Sequence, residues 1–287
     1  MSTLLAVPNV SEGRDANAIG QIGAAFGAAA RLLNVHSDPD HNRSVYTLAG
    51  SPGKLADGVL AGAARALELI KIGGHEGIHP RIGALDVAPI VYPAESQRGV
   101  ACAEALVLAD LLGVELHLPV FLYGSLADGR TRAEIRRGGP KALANRIATG
   151  ELVPDFGPSR LHDTAGAVLV AARPPLVAFN VDLRPPATLE DAKEIAARIR
   201  EGGSEGLPGV RAIGLWLEHR GLAQVSTNVE DHRATPLAAV AAAVAQHAEP
   251  DSAELVGLAP EAAFDGFPPD VPIRNRATIE QALLQTS

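Results

Sequence analysis

The chain has 287 residues, of which 47% are hydrophobic, so it holds enough apolar sequence for one large domain or two modest ones. Its formal net charge is −8 and only 3% of its residues are aromatic, which argues against a nucleic-acid-binding surface and against base-stacking platforms. A single cysteine excludes an intramolecular disulfide framework and fits a reducing compartment.

The first half of the chain predicts strands and helices in the order strand-helix-strand-strand-helix-strand. The strands are predicted over residues 4–7, 32–35, 44–48 and 85–91, and the helices over residues 14–30 and 52–71. The second helix has apolar residues at helical spacing, namely Leu55, Val59, Ala63, Leu67 and Ile70. A helix over 95–112 and a strand over 116–122 extend the pattern. Residues 124–166 are rich in Gly, Pro and charge and predict an irregular excursion with short helices before a strand over 167–172.

The same order recurs in the second half. Strands are predicted over 176–182, 210–218, 222–228 and 253–258, with helices over 188–201 and 235–247. Thr188 is a suitable N-cap for the first of these helices. The Pro-rich tail over 265–275 precedes a predicted last helix over 277–284.

The two repeats predict the fold class. Two β-α-β-β-α-β patterns indicate an α/β (α+β) protein of two ferredoxin-like subdomains, each a sheet with helices on one face. The boundary is predicted near Arg173-Pro174-Pro175. This gives an N-terminal subdomain over 1–173 and a C-terminal subdomain over 174–287.

The apolar segments indicate where the protein resides. The N-terminus has no basic start, and no apolar run approaches the roughly 20 residues of a membrane span. Cys102 falls in an apolar helical run and is expected to be an inert packed residue. We therefore expect a soluble, cytoplasmic protein.

Residues 75–86 concentrate ionisable groups around two glycines and a proline. They include His75, Glu76, His79, Arg81 and Asp86. Histidine titrates near physiological pH and suits proton transfer, while arginine offers a planar fork for a carboxylate or phosphate. The cluster favours a functional loop over an ordinary polar one. A zinc site built on the His-x3-His spacing remains an alternative, although the glycine and proline within the loop disfavour the helix that this spacing needs.

Two further loops are ambiguous by composition. Residues 38–43, which end in Asn42 and Arg43, fit a binding edge and turn chemistry between two strands equally well. Residues 154–166 contain glycines that permit close backbone approach to a flat ligand. Their composition alone favours an ordinary linker.

Six separated blocks resemble one known family in its order. The blocks are residues 8–13 (PNVSEG), 40–45 (DHNRSV), 79–87 (HPRIGALDV), 154–158 (PDFGP), 178–181 (AFNV) and 223–228 (AQVSTN). They are similar to the glutamate formimidoyltransferase (formiminotransferase) family. The resemblance covers nearly all of the chain and is to the transferase part alone, without a fused cyclodeaminase.

The resemblance implies two α/β subdomains, a homodimer, and transfer of a formimino group from N-formimino-L-glutamate to N5 of tetrahydrofolate in histidine breakdown. His79 maps to the family's catalytic acid/base. The implied folate-binding stretch is Gly157, Pro158, Ser159, Arg160, Leu161, His162, Asp163, Thr164, Ala165 and Gly166. The predicted substrate-binding residues are Asn9, Ser11, Glu12, Asp40, Asn42, Arg43, Arg81 and Asp86. Ile78 stands where the family carries a glutamate before the histidine.

The reaction requires a base for the N5 proton and an acid for the departing glutamate nitrogen. One histidine can serve as both in sequence, and we assign that role to His79. Tetrahydrofolate is then a co-substrate, and neither a metal nor a bound organic cofactor is expected. The rival interpretations are a formylglutamate:tetrahydrofolate formyltransferase, a non-catalytic folate-binding protein and a metal hydrolase. We expect small-molecule substrates as partners, with no nucleic acid and no membrane.

Overall fold

A computed structural model describes residues 3–78 and 80–285 of the chain. The chain forms two compact units that divide between Arg173 and Pro174. We call them the N-terminal unit and the C-terminal unit. Of the helices described, none is both long enough and apolar enough to cross a membrane.

The N-terminal unit contains seven strands and five α-helices among its described residues. The strands are β1 (Leu4–Ala6), β2 (Asn9–Val10), β3 (Arg31–Asp38), β4 (Arg43–Gly50), β5 (Leu85–Val91), β6 (Val120–Leu122) and β7 (Val168–Arg173). The helices are α1 (Ala16–Phe26), α2 (Lys54–Leu69), α3 (Arg98–Glu115), α4 (Arg132–Arg136) and α5 (Gly139–Ala148).

All seven strands form one sheet. β4 pairs with β3 on one side and with β1 and β2 on the other, and β1 and β2 both pair with β5. These contacts are antiparallel and give the ferredoxin-like order. β5 then pairs with β7, and β7 with β6, in parallel. β2 therefore lies between β4 and β5 in the sheet.

The irregular excursion covers the second face of this sheet. Val168 and Val170 of β7 pack into the core beneath α1–α3, whereas Leu169 packs with Ile135 and Leu143 from α4 and α5. Parallel strands that are covered on both faces need apolar residues at successive positions, as β7 has. The N-terminal unit thus adds a second helical layer to the predicted one-sided arrangement.

The C-terminal unit repeats the ferredoxin-like order. Its elements are β8 (Val177–Leu183), α6 (Leu189–Ile199), β9 (Val210–Leu217), β10 (Leu222–Val229), α7 (Leu237–Ala245), β11 (Pro250–Val256), β12 (Ile273–Arg274) and α8 (Ile279–Leu284). The sheet order is β12-β11-β8-β10-β9. Alternate residues Phe179 and Val181 of β8 face the core, as period-2 patterning requires.

The mixed α/β class and the two repeats are confirmed. The predicted N-cap is also confirmed, because the Thr188 side chain accepts from the Asp191 main-chain N–H, and the Thr188 N–H donates to the Asp191 carboxylate at 2.7 Å. The strand predicted over 116–122 is shorter than expected. α3 continues to Glu115, and His117 then turns the chain with a φ of 52°.

Candidate active site

Asp86 is the centre of a buried polar network at the start of β5. Its carboxylate is fully buried. Its Oδ2 lies 2.8 Å from Nη1 of Arg43 and also accepts from Nη2 of Arg136, while Oδ1 accepts from the Ile82 main-chain N–H at 2.8 Å. Two guanidinium groups therefore share one carboxylate, which leaves this trio with a net positive charge.

Arg43 is held on two sides because neighbouring strands bring its partners together. Its Nε and Nη2 donate to the Asn9 side-chain oxygen at 2.9 and 2.6 Å. Asn9 begins β2, which lies between β4 and β5. Burial lowers the pKa of Arg43 to about 10; Asp86 opposes this shift and Arg136 reinforces it. Arg43 and Asn9 thus build the site, and direct contact of either with a substrate stays a prediction.

Arg136 is a site residue that sequence reasoning missed. It lies on α4, within the excursion that composition described only as irregular, 50 residues from Asp86. Arg132, one turn earlier on the same helix, lies 5.6 Å from the centre of the Tyr123 ring. No spacing rule connects a short helix of this kind to the start of a distant strand, so only the tertiary structure identifies these arginines.

The two polar loops that the sequence singled out contact each other. The Asn42 side chain donates to the Glu76 carbonyl at 2.7 Å and accepts from the Gly13 N–H at 2.9 Å. The Ile78 N–H donates to the carbonyl of buried Asp40. Gly77 permits this approach, because a Cβ there would lie 2.6 Å from a main-chain oxygen. The Asn42 amide therefore joins the loops.

A cavity of about 470 Å³ lies against this loop. Among the described residues, it is lined by His75, Ile78, Pro80 and Arg81 from the loop and by Arg136 and Pro140 from the α4–α5 region. Arg81 donates to the carbonyls of Gly77 and His75, which folds its side chain back over its own loop. His79, the predicted catalytic residue, lies outside the described residues. Its chain neighbours on both sides line the cavity.

His75 lines this cavity, and its pKa is lower than the usual value for histidine. Burial lowers the pKa of His75, and the nearby Arg81 lowers it further, while the Ser11 main chain and Glu12 act in the opposite direction. Both ring nitrogens are buried, and neither has a hydrogen-bond partner among the residues that the structure describes. The neutral imidazole is therefore favoured at neutral pH.

Ser11 and Glu12, both predicted substrate contacts, bind neighbouring main chain. The Ser11 hydroxyl donates to the Gly83 carbonyl at 2.8 Å, and its N–H donates to the Ala84 carbonyl at 2.8 Å. The Glu12 carboxylate accepts from the N–H groups of Arg14 and Asp15 at 2.7 and 2.9 Å. These bonds fix the loop between β2 and α1 beside the start of β5.

The backbone structure requires glycine at two positions of the stretch predicted to bind folate. Gly157 and Gly166 have φ values of 74° and 75°, and a Cβ at either would lie 2.0 Å from a main-chain oxygen. His162 exchanges main-chain bonds with Gly166, and its ring accepts from the Ala165 N–H at 3.1 Å. The described residues that line the cavity include none from 157–166. Folate binding by this stretch stays a prediction.

The described residues contain no group of three or more His, Cys, Asp or Glu side chains arranged to hold a metal ion. The described residues are 3–78 and 80–285, and His79 is outside them.

Comparison with known proteins covers both units. Residues 3–173 match the formiminotransferase domain, N-terminal subdomain, and residues 178–264 match the formiminotransferase domain. The chain is 36% identical over 276 residues to a glutamate formimidoyltransferase of Thermoplasma acidophilum, covering 92% of this chain and 90% of that protein. It is 37% identical over 229 residues to a glutamate formimidoyltransferase of Streptococcus pyogenes, covering 78% and 76%.

Bifunctional proteins match over a smaller share of their length. The formimidoyltransferase-cyclodeaminase of Gallus gallus is 40% identical over 275 residues, which is 90% of this chain and 50% of that protein. The chain thus spans about half the length of the formimidoyltransferase-cyclodeaminases that it matches.

Proposed function

This chain belongs to the formiminotransferase family, and we propose that it transfers the formimino group from N-formimino-L-glutamate to N5 of tetrahydrofolate, releasing L-glutamate, in histidine degradation. The observation that carries the proposal is that both subdomain matches occur in order along one chain. Relatives that it covers over most of their length are named glutamate formimidoyltransferase.

The reaction needs a proton acceptor for N5 and a proton donor for the departing glutamate nitrogen. N5 attacks the formimino carbon, a new C–N5 bond forms, and the bond from that carbon to the glutamate nitrogen breaks. In this proposal His79 accepts the N5 proton and delivers a proton to the departing nitrogen. Such general acid–base catalysis contributes roughly 10²–10⁴-fold to the rate.

The buried network prepares the binding site. Arg43 and Arg136 share Asp86, so their net positive charge favours substrate carboxylates near the cavity. Arg81, which also lines the cavity, provides a further guanidinium in the donor site. Tetrahydrofolate is a co-substrate whose pterin we assign to residues 157–166. The remaining predicted contacts, Asn9, Ser11, Glu12, Asp40 and Asn42, hold the surrounding loops.

A homodimer and a cytoplasmic location complete the proposal. Both follow from the family resemblance and the composition of the chain. Light scattering on the purified protein tests the first, and fractionation of cells that express the full-length protein tests the second.

The decisive experiment is an absorbance assay of the purified protein with tetrahydrofolate and N-formimino-L-glutamate, with N-formyl-L-glutamate in parallel. We expect turnover with the formimino donor. Turnover with the formyl donor alone would replace the proposal with a formyltransferase. Tight binding of tetrahydrofolate without turnover of either donor would replace it with a folate-binding protein.

A further inference from the structure

Two residues that line the cavity beside the loop, His75 and Arg136, have side-chain nitrogen atoms without hydrogen-bond partners in the described part of the chain. These atoms are Nδ1 and Nε2 of His75 and Nε of Arg136, and all three are buried. A buried polar group without a partner costs about 1–3 kcal/mol. Both residues line one cavity, so a polar ligand bound there supplies the missing bonds when their side chains turn towards it.

Arg136 indicates which chemical group the ligand carries at one end. Its Nη2 is bound to Asp86, and Nε can act only as a donor. Arg136, Arg43 and Asp86 together carry a net positive charge, so an anionic oxygen is the favoured partner for the Arg136 Nε–H. A carboxylate matches the guanidinium fork. The cavity volume of about 470 Å³ falls within the range of small-molecule sites, roughly 300–1,000 Å³.

His75 determines the other end. A neutral imidazole carries one N–H donor and one acceptor nitrogen. The charged groups near the ring are Arg81, Arg14 and Glu12, and the two cations together with burial disfavour the imidazolium. The Ser11 main chain and Glu12 shift the pKa in the opposite direction. Whichever ring nitrogen carries the proton, the other offers a lone pair to an N–H group of a ligand.

We propose that this cavity binds the donor substrate, with Arg136 on a carboxylate and the His75 ring accepting an N–H of the formimino group. His75 is then a specificity-determining residue. The formimino group ends in a nitrogen that carries hydrogen, whereas the formyl group ends in an oxygen that can only accept, so the acceptor nitrogen favours the formimino donor. This inference rests on the proposed function, because it names the residues that select that reaction's donor.

The first test compares kcat/KM for the two donors in the wild type and in His75→Ala. We expect the variant to lose about 5–100-fold with N-formimino-L-glutamate, the effect of one hydrogen bond, and to change less than about threefold with N-formyl-L-glutamate. His117→Asn removes an exposed imidazole far along the chain from the cavity and should leave both values unchanged. Equal losses with both donors in His75→Ala would overturn the inference, since a structural role has that effect.

Arg136→Lys supplies a second comparison. Lysine keeps a positive charge beside Asp86 but lacks the planar guanidinium fork with its fixed N–H directions. KM should therefore rise for both donor substrates by a similar factor, and the preference between them should stay. If Arg136→Lys changed the preference between the two donor substrates and His75→Ala did not, the assignment of carboxylate binding to Arg136 and of donor selection to His75 would be overturned.

Calorimetric titration of the donor without folate separates this inference from the proposed function. The wild type should bind N-formimino-L-glutamate, and His75→Ala should bind it more weakly. Binding that depends on His75, with no transfer to tetrahydrofolate in any assay, would overturn the proposed function and leave the donor site standing. Transfer that proceeds with binding unaffected by His75→Ala would overturn the donor site alone. A wild type that neither binds nor transfers the donor would overturn both.

Discussion

Arg43 and Asp86 form an ion pair, 2.8 Å between Nη1 and Oδ2, in which the Asp86 side chain is fully buried and the Arg43 side chain is 9% exposed. They lie at the starts of β4 and β5, the two strands that flank β2 in the sheet. Because Arg136 reaches the same carboxylate from α4, the pair connects the ferredoxin-like sheet to the excursion.

Replacing Asp86 should destabilise the N-terminal unit strongly. Asp86→Asn leaves two guanidinium groups without their shared counter-ion, and breaking a buried pair in this way costs about 3–5 kcal/mol. Urea unfolding followed by far-ultraviolet circular dichroism measures the loss. Glu95→Gln is the matched control, because it breaks a pair with Arg98 whose side chains are mostly exposed, and exposed pairs contribute about 0–1 kcal/mol. Equal midpoints for the two variants would contradict the buried network.

His75 should make unfolding more sensitive to acid. Its pKa is lowered in the folded state, so the unfolded chain binds the additional proton first as the pH falls. The stability associated with the neutral ring is therefore complete above the ordinary histidine pKa and is lost as the pH falls through that value towards the lowered one. We expect His75→Gln to lose less stability than the wild type between about pH 7 and pH 5.

The measurement for this prediction is a series of urea melts across that pH range. His232 carries a pKa lowered for the same primary reason, burial, and His232→Gln should show the same sign. Parallel pH curves for the wild type and His75→Gln would show that the ring is protonated equally in both states.

Gly166 should resist substitution because of both its backbone and its surroundings. Alanine at φ 75° is strained, and its Cβ would lie 2.0 Å from the Ile82 carbonyl oxygen. Gly202 has a similar φ of 82°, and no heavy atom of the described residues lies within 4 Å of its Cβ position. Gly202→Ala should therefore cost only the left-handed penalty of about 1–2 kcal/mol.

We expect Gly166→Ala to have a clearly lower urea midpoint than Gly202→Ala. The comparison isolates close packing, since the backbone penalty is common to both variants. If the two midpoints agree, the segment near Ile82 accommodates the added methyl group without loss of stability. Close packing would then not explain Gly166, and a contact with a ligand would be the alternative explanation.

His79→Ala should lower kcat by roughly 10²–10⁴-fold, the usual contribution of a general acid–base. Circular dichroism should be unchanged, because the substitution removes a single side chain from a segment predicted to be a loop. His41→Ala is a comparison within the neighbouring loop, and it should reduce stability more than kcat because that histidine is buried. A kcat for His79→Ala within a few-fold of the wild type would remove this histidine from the mechanism.

Local patterns are sufficient to predict much of the fold. Period-2 alternation in β8, helical spacing in α2 and the Thr188 cap are properties of residues that are neighbours along the chain, so the sequence alone predicts them. The two-residue strand β12 in the Pro-rich tail is not predicted. A strand of that length has no period, and it exists only because β11 pairs with it in parallel.

For the candidate site, too, the sequence predicts some features and leaves others to the tertiary structure. The residue types in the loop of Arg81 predict a functional loop, whereas those in the loop of Asn42 fit binding and turn chemistry equally well. The contact between the loops, made through the Asn42 side chain and Glu76, joins positions 34 residues apart. Composition leaves residues 38–43 ambiguous because it cannot say what a side chain meets across space.

The sequence by itself determined the element types, the repeated order and the family resemblance, because each depends on residues close together in the chain or on motifs kept in order. Only the tertiary structure decided that Arg136 shares the Asp86 carboxylate and that the nitrogens of His75 are buried beside a cavity. Desolvation and hydrogen-bond geometry act between atoms that folding brings together, and no local pattern in the chain encodes them.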